Sequence, residues 1–381
     1  MTVLFYRWMG ITEVDALEVL IEMGVEVLAF EYPLKNYNED QELEGKLAEV
    51  CRTHSFDCIF SFNYFPALSL VSKKIGVRYV SWVYDSPHLT LNSKTVLNDC
   101  NDIYVFDYYR YCELTEKKRG NIHYLPLAVN TKRLERQERF YGQGYRHEVS
   151  FMGNLYNDEY NFYDKIKYLP EYVRGMLEGV MEAQLLFNRY DFLEAQLSGA
   201  MMDEILTYVD FEVGGNYFPS KKDIFLDLVL RRKMTILERS RILDAVSGRF
   251  PTVLYSGTET PELPMITHMG HVEYLKQMPE MFKRSKVNLN ISLRSILSGI
   301  PLRVMDIMGA GGFALSDYQL EIEEYFKIGE EIVVYDGIGD CLERIGYYLK
   351  HEAEREKIAE NGCRKVRREF SYENQLRKIF A

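Results

Sequence analysis

The chain has 381 residues, room for two domains at about 100–200 residues each. With 47% apolar and 27% charged residues it has the balance of a soluble globular protein and is too apolar for a disordered one. Its 46 Lys plus Arg against 57 Asp plus Glu leave a net charge of −11, which argues against nucleic acid as a partner, because that binding rests on neutralising phosphates.

The opening MTVLFYRW has no basic region followed by an apolar core, so no signal peptide is expected. The longest uncharged stretch, 58–72, contains Asn63 and Pro66 and falls short of the ~18–20 residues of a membrane span. The six cysteines form no CxxC pair and no Cys/His cluster, as expected of free thiols in the cytoplasm. Strands are expected at 2–8, 25–32, 56–62, 78–84, 102–107 and 121–127, with helical patterns between most of them. Val14, Leu17, Glu18 and Ile21 mark one turn-spaced helix face, and Gly24 stops it. This alternation predicts a parallel, doubly wound sheet. Residues 130–147 are polar, carry Gly142 and Gly144, and read as a linker. A second alternating block opens at 148–152. Residues 157–247 then show consecutive helices with almost no strand signal and read as an insertion beside the site. Strands return at 251–255, 266–272, 286–291, 312–316 and 331–335, followed by a helical tail. The expected domains are 1–147 and 148–381, with a tail at 353–381 returning toward the first.

The stretch Ser298-Gly299-Ile300-Pro301-Leu302-Arg303 to Gly312 carries chemistry. Ser298 or Gly299 suits a helix N-cap and Pro301 its first turn. Free amides there, helped by the helix dipole, make an anion site. Arg303 and Asp306 are three apart and share a face, offering a cation for phosphate and an acceptor for hydroxyls. The bland alternative is a capped helix with two surface charges.

These residues also carry a resemblance. The pieces GHVEY (270–274), MPEMFKRSKVNLNIS (278–292), GIPLRVMDIMGAGGFALSDY (299–318), EEIVVYD (330–336) and FSYENQ (370–375) occur in the order seen in the C-terminal domain of GT-B glycosyltransferases. Within them the chain most resembles the CgeB-like, spore-maturation-type glycosyltransferases. SWVYDSPHL (81–89), YVFD (104–107), YLPLAVN (124–130) and FMGNLY (151–156) extend the likeness to most of the chain outside 157–247. The resemblance implies an α/β GT-B fold, two Rossmann-like domains facing a cleft. It implies a nucleotide sugar bound by the second domain and an acceptor by the first. It places Asp306 on the donor ribose, the backbone of His271 and Val272 on the base, and the loop of Gly153 and Asn154 near the diphosphate or sugar. Arg294 or Arg303 would neutralise the leaving diphosphate. Where many retaining relatives carry Glu-x7-Glu, this chain has Ser298 and Asp306, which leaves the donor-sugar contact and the stereochemistry open.

In the first domain, Tyr84-Asp85-Ser86-Pro87-His88 follows a strand end, where open sheets bind ligands. Asp85 and His88 are both competent general bases. Otherwise Asp85 caps the next element and His88 is a satisfied loop residue. Trp8 and Gly10 follow the first strand and, with Tyr84, are expected to line the same cleft. The basic runs Arg231-Arg232-Lys233 and Arg364 to Arg368 read as solvated helix faces, with peripheral contact to an anionic membrane as the alternative. The tyrosine-rich stretch 156–172 reads as helical core, with stacking on sugars as the alternative. The expected activity is transfer of a sugar from a nucleotide-diphosphate sugar to a hydroxyl of a glycan, glycolipid or protein, with no metal and no resident cofactor. The alternatives are an inactive scaffold that binds a nucleotide sugar or glycan, and a nucleotide-sugar epimerase of the same architecture.

Overall fold

The structure, a computed structural model, describes every residue except 167, 188, 189, 198, 210 and 381. The chain divides into two compact units. The first comprises Met1–Asn130, Val213–Ser220 and Phe370–Ala381, and the second Thr131–Glu212 and Lys221–Glu369.

Each expected strand is present. In the first unit β1 (Thr2–Arg7), β2 (Glu26–Glu31), β3 (Cys58–Phe62), β4 (Arg78–Val83), β5 (Asn101–Val105) and β6 (Ile122–Tyr124) form a sheet in the order β2-β1-β3-β4-β5-β6. All its pairings are parallel. Buried on both faces, β3 reads as a continuous apolar run, CIFSF, as parallel strands do. The crossover helices return the chain to the same end of the sheet. Gly24 and Gly76 end two of them at φ +80° and +74°, backbone that side chains resist. The C-terminal helix Tyr372–Phe380 belongs to this unit, where Leu376 and Ile379 pack with Phe5, Phe60 and Trp82.

In the second unit β7 (His147–Met152), β8 (Thr252–Tyr255), β9 (Thr267–Gly270), β10 (Ser285–Asn290), β11 (Ala314–Asp317) and β12 (Val333–Tyr335) form a parallel sheet in the order β12-β11-β10-β7-β8-β9. Close packing fixes one of its turns. A Cβ on Gly312 would stand 2.8 Å from the Phe282 carbonyl and from Asn288 Nδ2, so only glycine lets the chain re-enter the sheet there.

Three expectations about organisation change. Residues 131–147 are not a free linker: in the helix Thr131–Glu138, Arg133 Nη1 and Gln137 Nε2 both donate to the Leu275 carbonyl, at 2.8 and 2.7 Å. The helix Arg232–Ser247 is not inserted material. Its Ile242, Leu243 and Val246 share one core with Val149, Phe151 and Leu254, which makes it the crossover that parallel neighbours β7 and β8 require. The segment Val213–Ser220 joins the first unit. Phe218 N donates to the Asn92 carbonyl at 2.8 Å, and the Arg119 guanidinium lies 3.3 Å from the Phe218 ring centre. In what remains of the block the regular elements among the described residues are helices, and they share a core that includes Leu177, Met181, Phe225 and Leu230.

Arg231 to Lys233 are not a solvated face either. Arg231 is buried against Asp227 and Asp191, Arg232 lies over the Tyr156 ring at 4.2 Å, and Lys233 pairs with Asp164 at 2.8 Å. Tyr163 is buried, whereas Tyr160, Tyr168 and Tyr172 are exposed, so the tyrosine-rich stretch is core only in part. No described helix is long and apolar enough to cross a membrane.

Candidate functional site

Ligands of open parallel sheets bind beyond the carboxyl ends of the strands where the strand order reverses, because the loops there diverge to opposite faces. The order reverses between β7 and β10 in the second unit and between β1 and β3 in the first.

At the first of these points β7 ends at Met152. Gly153 turns the chain, its amide donating to the Tyr255 carbonyl at 3.0 Å. β10 ends at Asn290 and continues into Ile291 and Ser292. Arg239 joins the two loops. Its Nε and Nη2 donate to the Ile291 carbonyl at 3.1 and 2.6 Å, and its Nη1 donates to the Asn154 carbonyl. The guanidinium also lies against the rings of Phe151 and Tyr156, 5.5 and 5.4 Å from their centres.

Asp317, at the end of β11, anchors the same loop by accepting from Ser292 N (3.0 Å), Ser292 Oγ (2.8 Å) and Asn290 Nδ2 (3.1 Å). Burial, reinforced by the nearby Glu238 charge, pushes the Asp317 carboxyl up to about 6. An unfolded aspartate ionises near 3.8, so the folded state holds this proton more tightly. The stability this contributes is complete below pH 3.8 and is lost as the pH rises through 6. Urea unfolding should therefore show wild type losing stability relative to Asp317→Asn between pH 4 and 7. A difference that does not change with pH would show that this carboxyl ionises normally.

The helix Leu302–Gly309 starts later than expected. Pro301 is its N-cap, and no side chain caps it. Ser298 instead donates Oγ to Glu321 Oε1 at 2.8 Å, and its carbonyl accepts the Glu321 amide at 3.1 Å. A buried carboxylate thus stands behind Ser298. Gly299, Ile300 and Pro301 are buried, and Arg303 is half-buried. Asp306 is 5% exposed. Tyr274 Oη donates to its Oδ1 at 2.9 Å, and Arg303 Nη1 lies 3.6 Å from its Oδ2. Val272 and the exposed His271, just before Tyr274, line a cavity of about 340 Å³ with Tyr255 and Gln277. The segments 271–274 and 303–306 are therefore brought together. Arg294 is committed elsewhere: Nε donates to Glu238 Oε2 at 2.7 Å and Nη2 to Oε1 in a bidentate pair.

In the first unit, Trp8 Nε1 donates to the Phe62 carbonyl at 3.1 Å, tying the end of β1 to the end of β3. The Trp8 amide donates to Glu13 Oε1 at 2.8 Å, and a Cβ on Gly10 would stand 3.3 Å from that oxygen. Glu13 is thus the buried floor of the Trp8–Gly10 loop, and burial raises its pKa against the pull of the loop amides and Arg7. Asn63, at φ 60°, is the matching centre after β3. Its Nδ2 donates to Asp85 Oδ2 at 2.7 Å, and its Oδ1 accepts the amides of Tyr84 and Asp85 at 3.0 and 3.3 Å. Asp85 is exposed, and among the described residues Asn63 is the side chain hydrogen-bonded to it.

His88 is placed differently. Its Nε2 lies 3.0 Å from Tyr64 N, 2.9 Å from the Tyr64 carbonyl and 2.8 Å from Thr90 Oγ1. Desolvation holds its pKa below the ordinary value. That nitrogen is enclosed by the chain itself, so His88 ties loops together and does not offer a base there. Tyr84 packs inward and donates its hydroxyl to Tyr372 Oη at 3.1 Å.

Residues 231–381 match the family model described as Glycosyl transferase-like. No curated protein matches the sequence. Solved structures similar to the chain include a sucrose-phosphate synthase from Thermosynechococcus elongatus, with a TM-score of 0.60 and 8% identity over 100% of this chain and 98% of that one. A UDP-forming α,α-trehalose-phosphate synthase from Burkholderia xenovorans gives 0.55 and 10% over 100% and 97%. HepE from Anabaena, in complex with UDP and glucose, gives 0.51 and 10% over 100% and 99%. The fold is that of the GT-B glycosyltransferases, an α/β architecture with two parallel six-stranded sheets.

Proposed function

We propose that this protein is a nucleotide-sugar-dependent glycosyltransferase of the CgeB-like group, transferring a sugar from a nucleoside diphosphate sugar to the hydroxyl of a glycan, glycolipid or protein. The observation that carries the reading is the Asp306–Tyr274 pair, lying inside the segment 231–381 that matches the glycosyl transferase-like model. Tyr274 fixes one carboxylate oxygen and Arg303 lies 3.6 Å from the other, which orients the carboxylate as an acceptor for ribose hydroxyls. The uncapped start of the helix Leu302–Gly309 supplies amides for the diphosphate, and Arg303 supplies a cation three residues from Asp306. Arg294, held by Glu238, supports the loop and is not assigned to the phosphate. Asp85 is assigned as the acceptor base and His88 as its support. The reading needs no metal and no resident cofactor, and it places the protein in the cytoplasm.

The test is a thermal-shift panel of UDP, GDP, ADP, TDP and CMP, with UDP first because HepE was solved with it. A ligand bound only by the folded state stabilises it by about RT ln(1 + [L]/Kd). Asp306→Ala should weaken the nucleotide found by roughly 1.5–3 kcal/mol, the range for hydrogen bonds to charged groups. Unchanged affinity in the folded variant, measured by calorimetry, would remove Asp306 from the donor site.

A further inference from the structure

A cavity of about 760 Å³ opens in the second unit at the amino ends of β10 and β11, lined there by Ser285, Lys286 and Phe313 and beyond them by the helix Glu352–Glu369. It lies at the other end of the sheet from Ser292 and Asp317, and the donor reading does not use it. Six cations face it: Lys283, Lys286, Arg355, Arg364, Arg367 and Arg368. Its lining carboxylates are Glu135, Glu138, Glu356 and Glu360, fewer than the cations, and just outside the lining Glu148 and Glu369 pair with Lys286 and Arg368 at 3.8 and 2.6 Å.

The carboxylates hold the outer cations. Glu138 pairs with Arg367 at 3.0 Å and Lys283 at 3.4 Å, and Glu360 pairs with Arg364 at 3.1 Å. Arg355 is not met in this way. It is 1% exposed, and its Nη1 donates to the Tyr348 carbonyl at 2.6 Å. Its Nε and Nη2 make no hydrogen bond among the described residues, and its ion pair with the exposed Glu352 is 3.8 Å long. A buried guanidinium with unmet N–H groups is unfavourable, and its field is poorly screened by the surrounding protein. The Tyr145 ring covers it with its centre 5.0 Å away, the hydroxyl tied to Glu356 Oε1 at 2.9 Å.

We propose that this cavity binds a phosphorylated polyol, a ligand joining a phosphate to several hydroxyls, at a site separate from that of the sugar donor. Lys286 and Arg364 take the phosphate at the mouth, and the charge of Arg355 draws it toward the floor as Tyr145 gives way. Glu138 and Glu356 accept the hydroxyls. The volume falls within the roughly 300–1,000 Å³ of small-molecule sites. A membrane fits less well, because the cations face a concavity and alternate with carboxylates that repel anionic headgroups.

The experiment is calorimetry on the full chain with glucose 6-phosphate, inorganic phosphate and glucose as probes. Glucose 6-phosphate should bind more tightly than phosphate, and glucose should give no heat. Lys286→Ala combined with Arg364→Ala should weaken glucose 6-phosphate at least tenfold with an unchanged urea midpoint. Arg355→Lys, which keeps the buried charge but loses the fork, should weaken it as well. Absence of heat from both anions overturns the proposal, as does equal binding by wild type and the double variant. Cosedimentation with phosphatidylserine vesicles that the double variant abolishes, with glucose 6-phosphate inert, overturns it in favour of a membrane contact.

Discussion

Replacing Asp85 by asparagine should lower turnover by about 10²–10⁴-fold, the range for loss of a general base, while nucleotide affinity stays within a factor of two or so. Asparagine keeps the shape of the side chain and still meets Asn63 Nδ2 through its amide oxygen, so the loop should survive. What it loses is the capacity to take a proton. The donor contacts assigned to Asp306 and Arg303 lie in the other sheet's unit, which is why binding and turnover should separate. His88→Ala should behave differently. Removing a ring that meets Tyr64 and Thr90 should lower thermal stability and disturb acceptor affinity together. Turnover should be measured for both variants along with the anomeric configuration of the product. An inverted product formed at near-normal rate by Asp85→Asn would remove Asp85 as the base. A retained product would move proton acceptance to the departing phosphate and leave Asp85 to position the acceptor.

Both sheets are legible because most strands are apolar runs set off by polar or glycine-bearing segments, a local signal that survives tertiary context; the exposed edge strand β9, THMG, is the weakest of them. The block at 157–247 was legible as helical but not as to which helix covers the sheet. Consecutive amphipathic helices look alike in sequence, and only the pairing of β7 with β8 shows that Arg232–Ser247 must bridge them. The membership of Val213–Ser220 in the first unit rests on backbone bonds to residues more than a hundred positions away, which leave no mark in a local pattern. The candidate site was legible where its residues lie on one helix face, as Arg303 and Asp306 do. It was not legible where a side chain bridges distant loops. Asn63, Arg239 and Asp317 fall into that class: Asn63 stands between aromatic residues, Arg239 between Glu238 and Ser240 and Asp317 after Ser316, and none of these contexts differs from those of many surface positions. Tyr274 lies in the GHVEY motif, but its bond to Asp306 is visible only in the fold.

Arg239 should prove the most sensitive of these. Arg239→Met keeps much of the buried stem and removes the fork that satisfies two carbonyls, one after each of β7 and β10. Leaving the buried Ile291 carbonyl unmet costs about 1–3 kcal/mol, and the Asn154 carbonyl is only part-buried, so the variant should lose roughly 1–3 kcal/mol of stability. Nucleotide affinity should fall with it, because the loops at 153–154 and 291–292 are no longer held in one geometry, and misplacement by about 1 Å is enough to cost about a hundredfold in rate. Arg239→Lys separates charge from geometry. An ammonium can reach one carbonyl but cannot span both as the planar fork does, so lysine should recover part of the stability and little of the donor affinity. Urea unfolding and calorimetry on the same three proteins give the comparison. If Arg239→Met unfolds at the wild-type midpoint and binds nucleotide normally, the two loops are held by the sheet itself and the guanidinium only fills space between Phe151 and Tyr156. If lysine restores both properties in full, charge rather than the two-point grip is what the loops require.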